Sequence, residues 1–368
     1  MTDLPSTDRL VCAGLDEGVF PGAVVAVARG DQLVFLRPYG YANRFSRQVV
    51  TSETVFDLAS LTKPLAMTLA VMALAENARI DLDAPLAAVA GDMVRGTDKA
   101  DITPAQLLAH TSGLPAYRPY FWTLSRLHPK DRKAALRSIL MREPLLTRPG
   151  DVGRYSDLGF MLLQMVVDEI TGERLDGWVM ETIYRPLGIS DLFFVGMGGM
   201  VAGRPVAATE WCPWRRCLVS GRVHDENADA IGGVAGHAGL FGTAGAVAAL
   251  VSELMATFTG RRETRFSPAW VRRFFQRQPG SGRSLGFDTP SPAGSSAGTR
   301  LSAHSVGHLG FTGTSFWMDL DREIGVVLLT NRVHPTRRNG RIRAFRPRFH
   351  DAVMDDLLGT PDAGASDF

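Results

Sequence analysis

The sequence has little cysteine. Only Cys12, Cys212 and Cys217 occur among the 368 residues, and an odd number of thiols cannot all pair within one chain. Such a composition is typical of a protein in a reducing compartment and argues against a fold held together by disulfides. Cys212 and Cys217 flank Pro213 and Trp214 without further well-spaced ligands, so the sequence predicts no zinc site there.

Long apolar runs and a charge imbalance are also missing. No run approaches the roughly 18 apolar residues of a membrane-spanning helix. The first residues have neither the basic region nor the apolar segment of a secretory signal. The net charge of +2, from 40 Lys plus Arg and 38 Asp plus Glu, is too balanced to suggest a nucleic-acid or membrane surface. The sequence therefore predicts a cytoplasmic protein that binds neither nucleic acid nor a membrane, and it leaves the oligomeric state open.

Lysine is scarce as well, since only four of the 40 basic residues are lysines. Lys63 alone follows a serine by three positions, in Ser60-Leu-Thr-Lys63. Residues at i and i+3 share one face of a helix. A lysine, unlike an arginine, shifts its pKa when it is desolvated and can help to take the proton of a neighbouring hydroxyl. The simpler interpretation is a serine that caps the helix and a lysine that is solvated.

Strand-like segments occur near both ends of the chain. Residues 22–28 and 32–36 are apolar runs joined by Arg29-Gly30-Asp31, which predicts a β-hairpin. Residues 313–319 and 324–330 predict a second hairpin near the C-terminus. Helical patterns fill much of the rest, at 6–18, 60–76, 105–110, 130–141, 158–170, 243–258 and 345–358.

This arrangement predicts an α/β (α+β) fold in which an antiparallel sheet of N- and C-terminal strands is flanked by helices. The sheet domain would comprise residues 1–80 and 230–368. Residues 81–229, which are helical and rich in loops, would form an inserted helical domain.

Two further segments carry groups that suit catalysis. Tyr155, in Tyr155-Ser-Asp157, precedes a predicted helix from which its phenolic oxygen could serve Ser60 as a base or proton relay. The alternative is a tyrosine that only packs at a helix cap. His308-Leu-Gly310 precedes the second hairpin, where glycine lets a strand edge approach a substrate closely. The alternative there is a tight start to a strand.

In order and spacing, Ser60-Leu-Thr-Lys63, Tyr155-Ser-Asp157 and His308-Leu-Gly310 resemble the three motifs of class C β-lactamases, D,D-peptidases of the penicillin-binding type and related carboxylesterases. The resemblance implies a β-lactamase/transpeptidase-like fold and a serine hydrolase that works through an acyl-serine intermediate. It makes Ser60 the nucleophile, Lys63 and Tyr155 the base system, and the backbone N–H groups of Ser60 and Phe311 the oxyanion hole. It assigns substrate binding to Asp157, His308 and Gly310, and it implies no cofactor.

Two positions depart from the lactamase pattern. Asp157 stands where the lactamases have asparagine, and a carboxylate cannot donate the amide hydrogen bond that a lactam side chain accepts. His308 replaces a lysine and is a weaker, pH-dependent cation. The resemblance therefore implies an esterase or a cell-wall-fragment amidase or peptidase rather than an efficient β-lactamase. The expected substrate is a small ester, amide or muropeptide, and the alternative is a non-catalytic, ligand-binding member of the same fold.

Two other patterns offer different chemistry. Gly282-Arg-Ser284-Leu-Gly286 matches the G-x-S-x-G nucleophile elbow, but it lacks the strand before it and the helix after it, so we interpret it as a chance match. His224, Asp225 and His237 are candidate ligands of a metallohydrolase. The preferred interpretation of their segments is hydrogen-bonded loops at the edge of the cleft, and the sequence predicts no metal.

Overall fold

The computed structural model describes residues 2–196, 201, 203–262 and 264–359. Its main sheet has six antiparallel strands in the order β3-β2-β1-β11-β10-β9. The strands are, in chain order, β1 (Gly22–Arg29), β2 (Gln32–Asn43), β3 (Gln48–Val49), β4 (Phe56–Asp57), β5 (Leu192–Phe194), β6 (Trp211–Cys212), β7 (Cys217–Leu218), β8 (Leu240–Gly242), β9 (Val306–Leu309), β10 (Ser315–Asp319) and β11 (Ile324–Thr330).

The predicted helices are present with small shifts at their ends. The α-helices in the described part of the chain are α1 (Pro5–Asp16), α2 (Leu69–Glu76), α3 (Leu86–Val89), α4 (Pro104–Leu108), α5 (Phe121–Leu124), α6 (Arg132–Arg142), α7 (Asp157–Thr171), α8 (Leu175–Val179), α9 (Glu226–Ala230), α10 (Ala244–Thr259), α11 (Pro268–Phe275) and α12 (Ile342–Leu358). Shorter 3-10 turns span Ala59–Leu61, Gly91–Met93 and Pro129–Asp131, and wider π turns span Lys63–Thr68 and Met180–Tyr184.

The first and last long strands lie side by side at the centre of the sheet. Strand β1 pairs with β11 in antiparallel register, from Ala23 opposite Thr330 to Arg29 opposite Ile324. Both strands are almost continuously apolar because helices cover both faces of the sheet. Alternate residues of β1 enter two different cores, with Val24 and Ala26 facing one and Val25 and Val27 facing the other. The second of these cores lies between the sheet and helices α1 and α12.

One continuous helical segment carries Ser60 and Lys63, as the sequence predicts. It begins with the 3-10 turn Ala59–Leu61, widens into the π turn Lys63–Thr68 and continues as α2. The sequence pattern did not predict the π turn. Such turns occur often at functional sites. Every residue from Leu61 to Ala75 is buried, so the segment runs through the interior of the protein.

Several short strands were missed by the sequence prediction. Strands β4, β8 and β5 form a separate three-stranded sheet in that order, and β6 and β7 form a two-stranded one. Each has only two or three residues, too few for an alternating pattern to be recognised. Strand β9, which holds His308, is also short and forms an edge of the main sheet.

The predicted fold class is confirmed, because an antiparallel sheet of N- and C-terminal strands is flanked by helices. The division into a sheet domain of residues 1–80 and 230–368 and a helical domain of residues 81–229 stays a prediction. Across the described ranges, each helix is too short or too polar to cross a lipid bilayer.

Candidate active site

Ser60 is presented by a tight turn between β4 and the buried helical segment. Ala59, directly before it, has a left-handed backbone with φ of 48°, which costs an L-residue roughly 1–2 kcal/mol. The carboxylate of Asp57 holds this turn, since its two oxygens accept the N–H of Ala59 at 2.8 Å and the N–H of His224 at 2.6 Å. The hydroxyl of Thr312 donates to the carbonyl of Asp57 at 2.7 Å. These bonds fix the strained turn and leave the Ser60 side chain accessible.

Lys63 connects two of the three predicted motifs. Its buried ammonium donates to Ser60 Oγ at 3.1 Å, to Asp157 Oδ1 at 2.7 Å and to the carbonyl of His237 at 3.1 Å. Burial by itself lowers the pKa of Lys63, but its interactions with the Asp157 carboxylate and the Tyr155 hydroxyl outweigh burial and raise that pKa above its ordinary value. Lys63 is therefore a fixed cation in the unliganded protein, and its pKa does not fall on desolvation as the sequence prediction supposed.

Tyr155 lies over this ammonium, at the start of α7. Lys63 Nζ is 4.9 Å from the centre of the tyrosine ring. The imidazole ring of His110 packs against the same tyrosine ring, with the two ring centres 4.5 Å apart. The next residue, Ser156, caps α7 by accepting the N–H of Gly159 at 3.1 Å. Burial raises the pKa of the Tyr155 hydroxyl, although Lys63 and Ser60 both lower it. In the resting site Tyr155 is a neutral phenol.

The third motif approaches from strand β9. His308 is buried, and its ring centre lies 5.9 Å from that of Tyr155. Burial, with a smaller contribution from Lys63, lowers the pKa of His308 to about 4, so the imidazole is neutral at pH 7. Its Nδ1 lies 2.9 Å from the carbonyl oxygen of Leu309. His308 therefore does not supply the cation that its position in the motif suggests.

Gly310 brings the backbone of the third motif against the nucleophile turn. A Cβ at this position would overlap the Thr314 hydroxyl and would lie 2.7 Å from the carbonyl oxygen of Leu58. Only a glycine fits such a close approach. Phe311 follows it with a ring that is 48% exposed and lines the same pocket as Ser60.

These groups face a pocket with a volume of about 390 Å³. Of the predicted residues, Ser60, Tyr155, Asp157 and Phe311 line it, whereas Lys63, His308 and Gly310 do not. The other lining residues are Ala59, Tyr117, His224, Asp225, Glu226, His237, Ala238 and Arg337. A larger and more open groove of about 880 Å³, beside Tyr41 and His334, contains none of the three motifs.

The candidate metal ligands do not converge on one point. His237 Nε2 lies 3.0 Å from Asp225 Oδ1, whereas His224 Nε2 faces Glu210 Oε2 at 3.3 Å. Within the described ranges, the group with ligand atoms close enough for an ion is Glu210, Cys212 and Glu226. The guanidinium of Arg337 binds both of those carboxylates, so a cation already occupies the space between them.

The Arg337 cluster was missed by sequence reasoning, because its members are far apart in the chain. Arg337 Nη2 donates to Glu210 Oε1 at 2.7 Å and also to Glu226. Burial raises the pKa of Glu210, but hydrogen bonds from His224 and Arg337 outweigh it and lower that pKa to about 2. The cluster closes the side of the pocket next to Phe311, whose ring centre lies 5.9 Å from the guanidinium carbon.

We expect the free energy of unfolding to depend less on pH below about pH 4.5 in Glu210→Gln than in the wild type. The folded-state pKa of Glu210, about 2, lies below its ordinary value of 4.5. Its ionised form therefore contributes stability that is complete above about pH 4.5 and is lost as the pH falls toward 2, up to about 3 kcal/mol. Urea unfolding at several pH values between 7 and 2.5 measures this, with the exposed Glu17→Gln as control. Parallel profiles for the wild type and Glu210→Gln would contradict the prediction.

The second serine motif lies outside the site. Ser284, at the centre of Gly282 to Gly286, is fully buried, and its hydroxyl donates to the carbonyl of Phe275 at 2.6 Å. A buried and bonded hydroxyl cannot meet a substrate. The interpretation of this motif as a chance match agrees with its position.

The likeness to known proteins extends over almost the whole chain. A family model described as Beta-lactamase matches residues 7–346. A putative D-alanyl-D-alanine carboxypeptidase of Escherichia coli O157:H7 is 30% identical over 366 residues, covering 90% of this chain and 82% of the relative.

Solved structures share the fold. EstCE1, a hydrolase with promiscuous acyltransferase activity, superposes with a TM-score of 0.75 at 23% identity, covering 95% of this chain and 98% of that one. An octameric penicillin-binding protein homologue from Pyrococcus abyssi gives a TM-score of 0.72 at 19% identity, covering 98% and 78%. The resemblance drawn from the three motifs is thereby confirmed: the chain is a serine hydrolase and belongs to the beta-lactamase family.

Proposed function

We propose that the protein cleaves a small ester or amide through an acyl-Ser60 intermediate. The observation that carries the proposal is the Lys63 ammonium, which touches Ser60 Oγ at 3.1 Å and Asp157 at 2.7 Å beneath the Tyr155 ring. A serine and a phenol that line one pocket, with a buried cation in contact with the serine, supply a nucleophile, a proton carrier and an electrostatic anchor.

Tyr155 acts as a proton relay rather than as a preformed tyrosinate. Its raised pKa keeps the phenol neutral in the resting site. As Ser60 Oγ forms a bond to the substrate carbonyl carbon, its proton passes to the Tyr155 oxygen. The phenol proton passes to the leaving group as the scissile bond breaks. Water reverses this path during deacylation, giving one proton to Tyr155 while the phenol proton returns to Ser60.

Lys63 and two backbone N–H groups stabilise the charge that develops. The ammonium is held at Ser60 by Asp157, so it favours the oxygen anion that forms as the proton leaves. The N–H groups of Ser60 and Phe311 are the proposed oxyanion hole. Among the described residues, the Phe311 N–H donates to no protein acceptor, so it is available to a substrate carbonyl.

The charges in the site favour substrates without a carboxylate next to the scissile bond. His308 is neutral at pH 7, since its pKa is about 4. Arg337, which lines the pocket, is already bound to Glu210 and Glu226. The Asp157 carboxylate forms an ion pair with the Lys63 ammonium, and it has no N–H to donate to a lactam side chain. These features support an esterase over an efficient β-lactamase.

A second candidate is cleavage of cell-wall fragments. The relative from Escherichia coli that is 30% identical over 90% of this chain is named a putative D-alanyl-D-alanine carboxypeptidase. A muropeptide amide would reach the same acyl-Ser60 intermediate through the same relay. The cytoplasmic location predicted from the sequence stays a prediction, and it would suit the processing of recycled fragments.

A turnover panel separates these activities. Purified protein is assayed with p-nitrophenyl acetate and butyrate, nitrocefin, a D-Ala-D-Ala peptide and a muropeptide. We expect kcat/KM for the esters to exceed that for nitrocefin by at least about tenfold, the factor that one lost hydrogen bond represents. Preference for nitrocefin would contradict the interpretation of Asp157 and His308. Binding without turnover across the panel would support the non-catalytic alternative.

A further inference from the structure

The turn of residues 310–314, between β9 and β10, is held by two buried arginines from outside the pocket. Arg346, on helix α12, donates through Nη2 to the carbonyl oxygens of Gly310 at 2.9 Å and Thr314 at 2.7 Å. Arg332, just after β11, donates through Nε to the carbonyl oxygen of Phe311 at 2.9 Å. Neither arginine lines the pocket that contains Ser60.

These arginines are costly to bury. Arg346 is 6% exposed and Arg332 is 8% exposed, and within the described ranges neither forms an ion pair with a carboxylate. Burial lowers the pKa of Arg346 to about 9. An unpaired guanidinium is expensive to desolvate, and an apolar side chain would fill the space more cheaply. Arg346 binds two carbonyl groups of this turn instead, and Arg332 binds the carbonyl of Phe311 together with those of Arg337 and Asn339.

The same turn is attached on its other side to the nucleophile turn. The Thr312 hydroxyl donates to the carbonyl of Asp57 at 2.7 Å, and the Thr314 hydroxyl donates to the carbonyl of Leu58 at 3.1 Å. The turn therefore lies between the residues that precede Ser60 and the two arginines. Its position relative to Ser60 depends on contacts from both sides.

Peptide geometry links Arg346 to the proposed oxyanion hole. The carbonyl of Gly310 and the N–H of Phe311 belong to one peptide unit, and in a trans peptide these two groups point in opposite directions. The Gly310 carbonyl accepts from Arg346 and also from the N–H of Gly313 at 3.1 Å. Donors that hold this carbonyl on the side away from the pocket consequently direct the Phe311 N–H toward the pocket. The same bonds polarise the peptide and strengthen the N–H as a donor.

We propose that Arg346 is a positioning residue for the oxyanion hole, because its bond to the Gly310 carbonyl fixes the direction of the Phe311 N–H, and that Arg332 assists by holding the Phe311 carbonyl. This inference rests on the proposed acyl-Ser60 chemistry. Arg346 does not touch the substrate. It acts through the peptide that does.

The test compares Arg346→Met with Arg348→Met, an exposed arginine on the same helix. Loss of one oxyanion donor slows enzymes by about 10²–10³-fold, so a misdirected donor should lower kcat about 10–100-fold with KM nearly unchanged. Arg348→Met should match the wild type. Added guanidine should partly restore kcat in Arg346→Ala, which leaves the space for it.

The preference for an oxo ester over the matching thiono ester is a second measurement. A general loosening of the fold would not change this preference. Thiocarbonyl sulfur accepts hydrogen bonds weakly, so the wild type should prefer an oxo ester to the matching thiono ester. Arg346→Met should reduce this preference about tenfold or more. If Arg346→Met does not fold, Arg346→Lys, which keeps a cation at the carbonyl, is measured instead and should show a smaller change in the same direction.

The outcomes distinguish the two levels of the proposal. A wild type that neither turns over esters nor forms an acyl-Ser60 adduct overturns the proposed function and this inference with it. An active wild type whose kcat and oxo-to-thiono preference are unchanged in the Arg346 variants overturns only the positioning role. A fall in kcat together with a reduced preference supports it.

Discussion

Ser60→Ala is expected to lower kcat/KM for a p-nitrophenyl ester by at least about 10³-fold, because it removes the nucleophile of a two-step acyl transfer. Ser60 is partly exposed, and its hydroxyl accepts from Lys63 Nζ at 3.1 Å. The free energy of unfolding should therefore change by less than about 1 kcal/mol. Steady-state kinetics and urea unfolding of the same preparation measure both effects.

Ser284→Ala is the matched control, since it removes the other serine that lies in a hydrolase-like motif. Its buried hydroxyl donates to Phe275 at 2.6 Å, so its loss should cost about 1 kcal/mol of stability. Its kcat/KM should stay within about twofold of the wild type. The two variants thus have opposite expected patterns. Activity that survives Ser60→Ala and disappears in Ser284→Ala would reverse the assignment of the nucleophile.

Lys63→Met is expected to lower kcat/KM by about 10²–10³-fold, because the cation beside Ser60 and Tyr155 is lost. Breaking a buried ion pair also leaves one charge uncompensated, which costs roughly 3–5 kcal/mol. Here that charge is Asp157, which Lys63 contacts at 2.7 Å. Activity and stability should therefore both fall, and kinetics alone would not separate the two causes.

The double variant Lys63→Met with Asp157→Asn separates them. It removes both charges, so most of the lost stability should return, whereas activity should stay as low as in Lys63→Met. Recovery of activity together with stability would show that Lys63 acts only on the fold. Kinetics and unfolding of the single and double variants make this a complete cycle.

Local patterns sufficed to predict the elements that carry the chemistry. The three-residue spacing of Ser60 and Lys63 and their helical context survive in the structure, where Lys63 Nζ meets Ser60 Oγ. Asp157 of the second motif also meets Lys63 of the first, at 2.7 Å. These contacts join residues of the three motifs, and the sequence already shows those motifs and their order along the chain.

Protonation states depend on burial, which the sequence does not specify. His308 was expected to act as a pH-dependent cation, but it is buried at the sheet edge and its pKa falls to about 4. Tyr155 was expected to act as a base or proton relay, and burial raises the pKa of its hydroxyl, which keeps it a neutral phenol at rest. The left-handed backbone of Ala59 could not be predicted from the sequence either, because an alanine side chain does not favour that conformation.

Contacts between distant positions were the other part that the sequence could not provide. Arg337 meets Glu210 across 127 positions, and Arg346 meets Gly310 across 36. No periodicity or motif links these residues. In a chain where arginine is abundant, composition gives no reason to single them out.

The most direct test of the central claim is the mass of the protein after reaction with a fluorophosphonate, followed by mapping of the labelled peptide. Acylation chemistry at Ser60 predicts one adduct per chain, located at Ser60, and none in Ser60→Ala. An unmodified chain, or an adduct on another residue, would contradict the claim that Ser60 is the nucleophile.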